Sequence, residues 1–293
     1  MRQSLSYGGS RMMLRPMRVE DIPAVESITE AAFAPFGHGF PRSPIRAQRF
    51  RQRVQHQLAT DPAGCWIAEV GGEVVGEAIA VRRERLWMLS SYAVLPTAQN
   101  HGIGRALLER TLSYAEGSVR GMIVSSPDPR AARRYRLAGF SLHPMMTLSG
   151  TVDRAVLPFV DHVRPGTIAD LALLESVDRQ VRGASHGPDH RLLGGDHPLL
   201  VCDTFLGNGY AYVLDGSLAL LAATSRRVAH KLLWEVLARS TPGAEVNVRN
   251  ITVENEWALD IGLAAGLAVE TSGYLCLRGM KPPAPYVPSG AYL

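Results

Sequence analysis

The stretch Gln99-Asn100-His101-Gly102-Ile103-Gly104-Arg105 carries the clearest chemistry in this chain of 293 residues. It follows an apolar run from Leu86 to Pro96 and leads into a helix-like run from Ile103 to Glu116. A loop entering a helix start presents backbone N–H groups that have no intrahelical acceptor. With the helix dipole, those groups suit an anion, a phosphate above all. Glycine at 102 and 104 lets the backbone approach a ligand with no Cβ in the way. A dinucleotide loop would need G-x-G-x-x-G right at a strand end. Here the third glycine is replaced by Leu107, and residues Leu95 to His101 intervene before the first; Asp128, an acid after the next strand-like run, keeps the comparison open. No Gly-Lys-Ser/Thr occurs, which excludes a P-loop. The remaining alternative is a glycine-rich turn before an ordinary helix.

The flanking residues add a second pattern. Val94-x-Pro96, then Gln99-x-x-Gly102-x-Gly104-x-Ala106-Leu107-Leu108, resembles the acetyl-CoA loop of the GNAT family of N-acetyltransferases, Gln/Arg-x-x-Gly-x-Gly/Ala. Downstream, past the strand-like Gly121 to Ser125, the run from Asp128 to Phe140 is similar to that family's Asn-x-x-Ala-x-x-x-Tyr-x-x-x-Gly-Phe. The resemblance spans residues 11–150, about half of the chain.

That resemblance implies a site. Acyl transfer from a thioester to an amine needs a held acyl carrier, an oxyanion stabiliser, a base for the ammonium and an acid for the leaving thiolate. Asn100, His101, Gly102, Ile103, Gly104, Arg105 and Ala106 would cradle the acetyl-CoA pyrophosphate, with Gln99 at the loop's start and Arg105 nearest the charge. Backbone at Ala93, Val94 and Leu95 would pair with the pantetheine arm, and an N–H near Ala93 would face the thioester oxygen. Asp128 and Arg130 would also contact the carrier, Asp128 standing where the family has Asn. Tyr135 matches the tyrosine that protonates the departing sulfur; its other reading is an aromatic packed on an amphipathic helix.

The base is harder to find. The family's carboxylate sits about three residues ahead of Val-x-Pro, where this chain has Ser91 with Ser90 beside it. Glu26, Glu30, Glu69, His38, the Leu293 carboxylate and a water chain are the alternatives. His186, Asp189, His190, Asp196 and His197 form a cluster of metal-type residues, but Gly187, Pro188, Gly194 and Gly195 argue against a helix that would align them. A polar loop contacting substrate is expected there, and no metal. Cys65, Cys202 and Cys276 are odd in number and widely spaced, which points to reduced, buried thiols rather than a disulfide framework or a covalent acyl carrier.

The elements that must position these groups can be read from periodicity and turn residues. Met12 to Met17 reads as a strand, Glu20 to Phe33 as a helix, and Cys65 to Val70 with Glu73 to Val81 as a hairpin about Gly71-Gly72. Arg42, Arg46, Arg49 and Arg53 lie at helical spacing opposite Phe50, Val54 and Leu58. This basic side is a solvated face or an attractor of anionic ligands; a nucleic-acid-binding protein is a third reading that rests on this helix alone, against a net charge of only +4 and an expectation of no nucleic-acid partner. After a linker at 151–158, the order of strand-like and helix-like runs repeats, ending in Gly266-Leu267 as the first half ends in Gly139-Phe140. The phosphate-loop position in this second copy, Thr224 to Ala229, has no glycine.

The expected architecture is therefore α/β (α+β): a mixed, mostly antiparallel twisted sheet with helices on both faces, the GNAT fold, in two tandem domains. Residues 1–150 would bind acetyl-CoA, and 151–293 would be a degenerate copy on the substrate side, with the acceptor between them. No apolar run approaches the ~18 residues of a membrane span, and no secretory signal is visible, although arginines ahead of Glu20 leave a mitochondrial leader as an alternative. The expected protein is a cytoplasmic, bacterial, monomeric or homodimeric N-acetyltransferase acting on a small-molecule or peptide amine by direct attack. The alternative is a non-catalytic acyl-CoA sensor.

Overall fold

The computed structural model describes residues 6–7, 10–36 and 42–292. The chain folds as two compact units, Met1–Val119 and Arg120–Leu293.

In the first unit, β1 (Ser6–Tyr7), β2 (Ser10–Pro16), α1 (Ile22–Phe33) and α2 (Pro44–Thr60) precede β3 (Cys65–Val70), β4 (Glu73–Arg83), β5 (Leu86–Val94) and α3 (Ile103–Ser113). The strands pair antiparallel in chain order. α1 and α2 cover one face of the sheet through Ile22, Val25, Phe50 and Val54, packed on Cys65, Ile67 and Ile79. α3 covers the other through Ile103 and Leu107, packed on Ala68, Val75 and Ala78. β4 is thus sandwiched, and its residues are buried without a break from Val75 to Val81 rather than on alternate positions. Glu77 falls inside that run.

One polar hub ties α2 to β4 and α3. The buried Asp61 carboxylate accepts from Arg83 Nη1 at 2.7 Å, Arg82 N at 2.8 Å, Tyr114 Oη at 2.9 Å and Thr60 Oγ1 at 2.7 Å. Each acceptor site is used, as a buried charge requires.

The second unit contains β6 (Arg120–Ser125), α4 (Pro129–Leu137), β7 (Ser141–Thr151), β8 (Val163–Pro165), α5 (Leu171–Val181), α6 (Asp189–Asp196), β9 (Leu199–Thr204), β10 (Gly207–Leu214), β11 (Ser217–Ala223), α7 (Arg226–Ala238), β12 (Glu245–Thr252), α8 (Trp257–Ala264), β13 (Ala268–Arg278) and β14 (Tyr286–Val287). β8 to β11 and β14 form an antiparallel sheet in the order β14-β11-β10-β9-β8. α7 packs on one face, and α5 with α6 on the other.

The remaining strands run β6-β13-β7-β12, every pair antiparallel. This order is palindromic. β6-α4-β7 and β12-α8-β13 are successive strand–helix–strand segments, and each receives the last strand of the other between its own two. The helices end alike. Phe140 N bonds Tyr135 O at 3.0 Å and Gly139 N bonds Arg136 O at 3.1 Å, while Leu267 N bonds Gly262 O at 2.9 Å and Gly266 N bonds Leu263 O at 3.1 Å. Gly139 and Gly266 take φ of 87° and 84°, the left-handed turn this helix ending needs, and the next residue, Phe140 or Leu267, is buried. The linker expected at 151–158 is not where the compact units divide, because β6 and β7 pair with β13 from far down the chain.

Truncating the Asp61 hub leaves the Arg83 guanidinium buried without its carboxylate. Asp61→Ala is expected to destabilise the fold by about 3–5 kcal/mol, read as a lowered urea midpoint with an unchanged slope.

Candidate functional site

The loop before α3 has the geometry that its sequence suggested. Asn100 takes φ 69°, and Gly102, at φ 80°, is the N-cap and offers no side chain to the helix start. The helix's hydrogen bonding opens with Ala106 N to Gly102 O at 3.0 Å, so the N–H groups of Ile103, Gly104 and Arg105 lie ahead of it. Gln99 Nε2 donates to Val94 O at 3.0 Å and ties the loop to the end of β5. A Cβ on Gly104 would come to 2.5 Å from the Tyr92 hydroxyl, so a larger residue there would displace the Tyr92 side chain from the first turn. Ile103 is buried as the turn's anchor. The Arg105 guanidinium lies on the surface, bonded to Glu109 at 2.6 Å one helical turn on.

The corresponding start of α7 in the second unit is different. Ser225 is its N-cap, and the Ser225 hydroxyl itself accepts the Val228 N–H, at 3.4 Å. The helix start is served from within the chain.

β5 carries a bulge. Ile79 pairs with Ser91 and Ala80 with Leu89, which leaves Ser90 as an extra residue. Such a bulge re-aims side chains locally. Ser90 Oγ accepts from Gln57 of α2 at 2.6 Å, and Ser91 Oγ donates to Glu77 Oε1 at 2.7 Å. Glu77 is fully buried, and its Oε2 has no hydrogen-bond partner among the described residues. Burial pushes its carboxyl up to about 7, against the opposing pull of the Ser91 hydroxyl and of Arg53 and Arg42.

The other candidate bases are committed elsewhere. Glu26 accepts from Arg51 at 2.6 Å, Glu30 from the Arg42 backbone at 3.0 Å, and Glu69 from Arg15 at 2.9 Å. His38 and Leu293 lie outside the described residues. The arginine stripe is not a uniformly solvated face: the Arg42 and Arg53 guanidinium carbons sit 4.2 and 5.1 Å from the centre of the Phe50 ring. Glu77 was missed because it reads as a lone acid in an apolar strand. The signal available was an ionisable residue at the centre of a run with no polar neighbour.

In the second unit, Asp128 caps α4, accepting Arg130 N at 2.8 Å, and forms a fork with the Arg130 side chain at 3.0 and 2.8 Å. The negative charge at this position is therefore offset by its own neighbour. Tyr135 is buried on α4, one turn ahead of the glycine ending.

The histidine-rich segment differs from expectation. It forms α6 despite its glycines, and His186, Asp189, His190 and His197 are buried rather than looped into solvent. The reason is Asp178 of α5. Its Oδ2 accepts His186 N at 2.9 Å and bonds His186 Nδ1 at 2.7 Å and His190 Nε2 at 2.9 Å, and its Oδ1 accepts from Tyr210. The far nitrogens meet Tyr286 and Tyr212 at 3.3 and 3.2 Å. Burial alone would raise the Asp178 carboxyl, yet the two imidazoles hold it well below the usual range; burial with Arg182 holds His186 down to about 4. Asp178, His186 and His190 have the chemistry of metal ligands, but these hydrogen bonds account for their placement as a structural network.

Residues 25–140 match the model of the acetyltransferase (GNAT) family. This stretch is a GNAT domain. A stretch of 114 residues is 27% identical to serotonin N-acetyltransferase 2, chloroplastic, of Oryza sativa subsp. japonica, covering 36% of this chain and 52% of that protein. The chain thus spans about half the length of this curated relative. Over 100% of its length the chain shares the fold of a proposed acetyltransferase from Pyrococcus horikoshii, with TM-score 0.76, 20% identity and 98% of that chain covered. A GCN5-related N-acetyltransferase from Sphaerobacter thermophilus aligns with TM-score 0.59 and 15% identity over 91% of this chain and 95% of that one. The GNAT fold of the chain is thereby established.

The raised Glu77 carboxyl has a stability consequence. Its folded value of about 7 lies above the ordinary 4.5, so its contribution is fully present below 4.5 and is lost as pH rises through 7. Glu77→Gln, which mimics the protonated form, is expected to be more stable than the parent at pH 8, by on the order of 3 kcal/mol, and indistinguishable at pH 4.5. Thermal melts at the two pH values read the difference.

Proposed function

We propose that this protein is an acetyl-CoA-dependent N-acetyltransferase that acetylates a primary amine by direct attack. The observation that carries the reading is the start of α3: an N-cap without a side chain, N–H groups ahead of the first helical bond, and a Gly104 whose missing Cβ leaves room for the Tyr92 hydroxyl, all within a GNAT domain. These groups suit a pyrophosphate. In this reading Gln99 to Ala106 hold the phosphates of acetyl-CoA, and the backbone from Ala93 to Leu95 pairs with its pantetheine arm. Asp128 with Arg130 contact the carrier as a neutral pair, and Tyr135 gives its phenolic proton to the departing thiolate. Direct attack is favoured by the cysteines. All three are buried, and burial lifts Cys65 and Cys276 to about 12, so neither is a thiolate acyl carrier near neutrality.

The residues at 1–150 would be the acetyl-CoA-binding domain and those at 151–293 a degenerate GNAT-like copy, its helix start capped by Ser225 rather than left to a ligand. Reduced cysteines fit a cytoplasmic setting, and no described helix is long and apolar enough to cross a membrane. The name of the rice relative makes an arylalkylamine the first acceptor class to try.

Calorimetric titration with acetyl-CoA is expected to show one site per chain, weakened roughly tenfold or more in Gly104→Ala, a loss of about 1.4 kcal/mol. No binding at millimolar acetyl-CoA overturns the reading. With serotonin, spermidine and an alanine-initiated peptide as acceptors, thiol release is expected from at least one. Binding without release would make the protein an acyl-CoA sensor. Tyr135→Phe is expected to lower kcat about 10²-fold with acetyl-CoA affinity retained; an unchanged kcat across pH removes Tyr135 from the acid role.

A further inference from the structure

The Glu77–Ser91 pair has no evident structural purpose. A carboxylate inside an apolar strand, with one oxygen bonded to a serine and the other to nothing described, costs stability at neutral pH. The acids that do structural work in this protein, Asp61 and Asp178, have both oxygens engaged. The serine it bonds lies on β5, next to the bulge and just ahead of Ala93 to Leu95.

We propose that Ser91 and Glu77 form a two-residue proton relay, in which Ser91 takes a proton from the incoming ammonium and Glu77 receives the Ser91 proton. The proposal rests on the acetyltransferase reading and supplies the base that reading lacks. The step balances. An N–H bond of the ammonium breaks and its proton goes to Ser91 Oγ. The O–H bond that Ser91 makes toward Glu77 breaks in turn, and its proton goes to Glu77 Oε1. The products are a neutral amine, an intact serine hydroxyl and a carboxylic acid. The amine lone pair is then free to attack the thioester carbon, and Glu77 later returns its proton to solvent by the same route.

The surroundings suit the task. Ser91 of β5 donates to Glu77 directly; Arg42, just ahead of α2, and Arg53 on α2 pull the carboxyl down; Cys65 of β3 feels its charge but is itself held protonated by burial. Glu26 and Glu30 of α1 are occupied with Arg51 and Arg42. Burial raises the carboxyl and the charges of Arg53 and Arg42 lower it, which leaves a group whose ionisation falls near neutrality, where a base both holds and accepts protons well. Ser91, which would touch the amine, is the group at the position of the family's carboxylate; Glu77 acts through it.

The test is the pH dependence of kcat/KM for thiol release from acetyl-CoA with the same three amines, in the parent, Glu77→Gln, Glu77→Asp and Ser91→Ala. The parent is expected to rise through a limb near pH 7 to a plateau. Glu77→Gln and Ser91→Ala should each lose about 10²-fold at pH 7 and recover only at the alkaline pH where the amine itself deprotonates. Glu77→Asp should keep a limb near neutrality. Acetyl-CoA affinity by calorimetry should be unchanged in all, which also shows that each variant is folded. A Glu77→Gln or Ser91→Ala profile that keeps the parent's limb overturns the relay while leaving the acetyltransferase reading intact. A parent that releases no thiol with any of the three amines overturns that reading and the relay with it.

Discussion

The pairing of β13 with both β6 and β7 is the constraint on which the second unit depends. Residues 268–278 fill the gap between two strands that belong to an earlier strand–helix–strand segment, and β7 in turn fills the gap between β12 and β13. Neither segment has a complete ladder of backbone hydrogen bonds alone. α4, with Tyr135 on it, is anchored at its end by Phe140, and the Arg278 guanidinium of β13 lies 5.0 Å from the centre of that ring. The placement of the proposed acid thus depends on a strand formed near the far end of the chain.

The buried carboxylates Asp61, Asp178 and Glu77 are engaged in two different ways. Asp61 and Asp178 each collect donors from several elements, and such networks fix the elements against one another. Glu77 collects one donor. The contrast between Asp178 and Glu77 is informative: both are buried, but Asp178 is held well below the usual range by two bonded imidazoles, whereas the half-engaged Glu77 is pushed toward the range in which it can exchange a proton.

Much of this was legible in the residues. The hairpin about Gly71-Gly72, the helix starting at Ile103 and the repeated Gly-Phe and Gly-Leu endings follow from local turn and capping chemistry, which acts over a few residues. The functional reading of the loop and of Tyr135 rests on the family resemblance. What was not legible depends on partners distant in sequence. α6 forms despite Gly194 and Gly195 because Asp178 and three tyrosines hold His186 and His190 in place. The Ser91–Glu77 contact needed the register of β4 against β5, including the bulge at Ser90, and no spacing along either strand reveals it. The exchange of β7 and β13 is invisible to periodicity, since each reads as an ordinary final strand of its own repeat.

The palindromic strand order also sets a schedule. During synthesis β6, α4 and β7 emerge long before β13 exists, so both strands must wait with open edges while the rest of the second unit is made. Pairings this far apart in sequence close slowly. The nascent chain therefore has a long interval in which the edges of β6 and β7 that β13 will cover stand open.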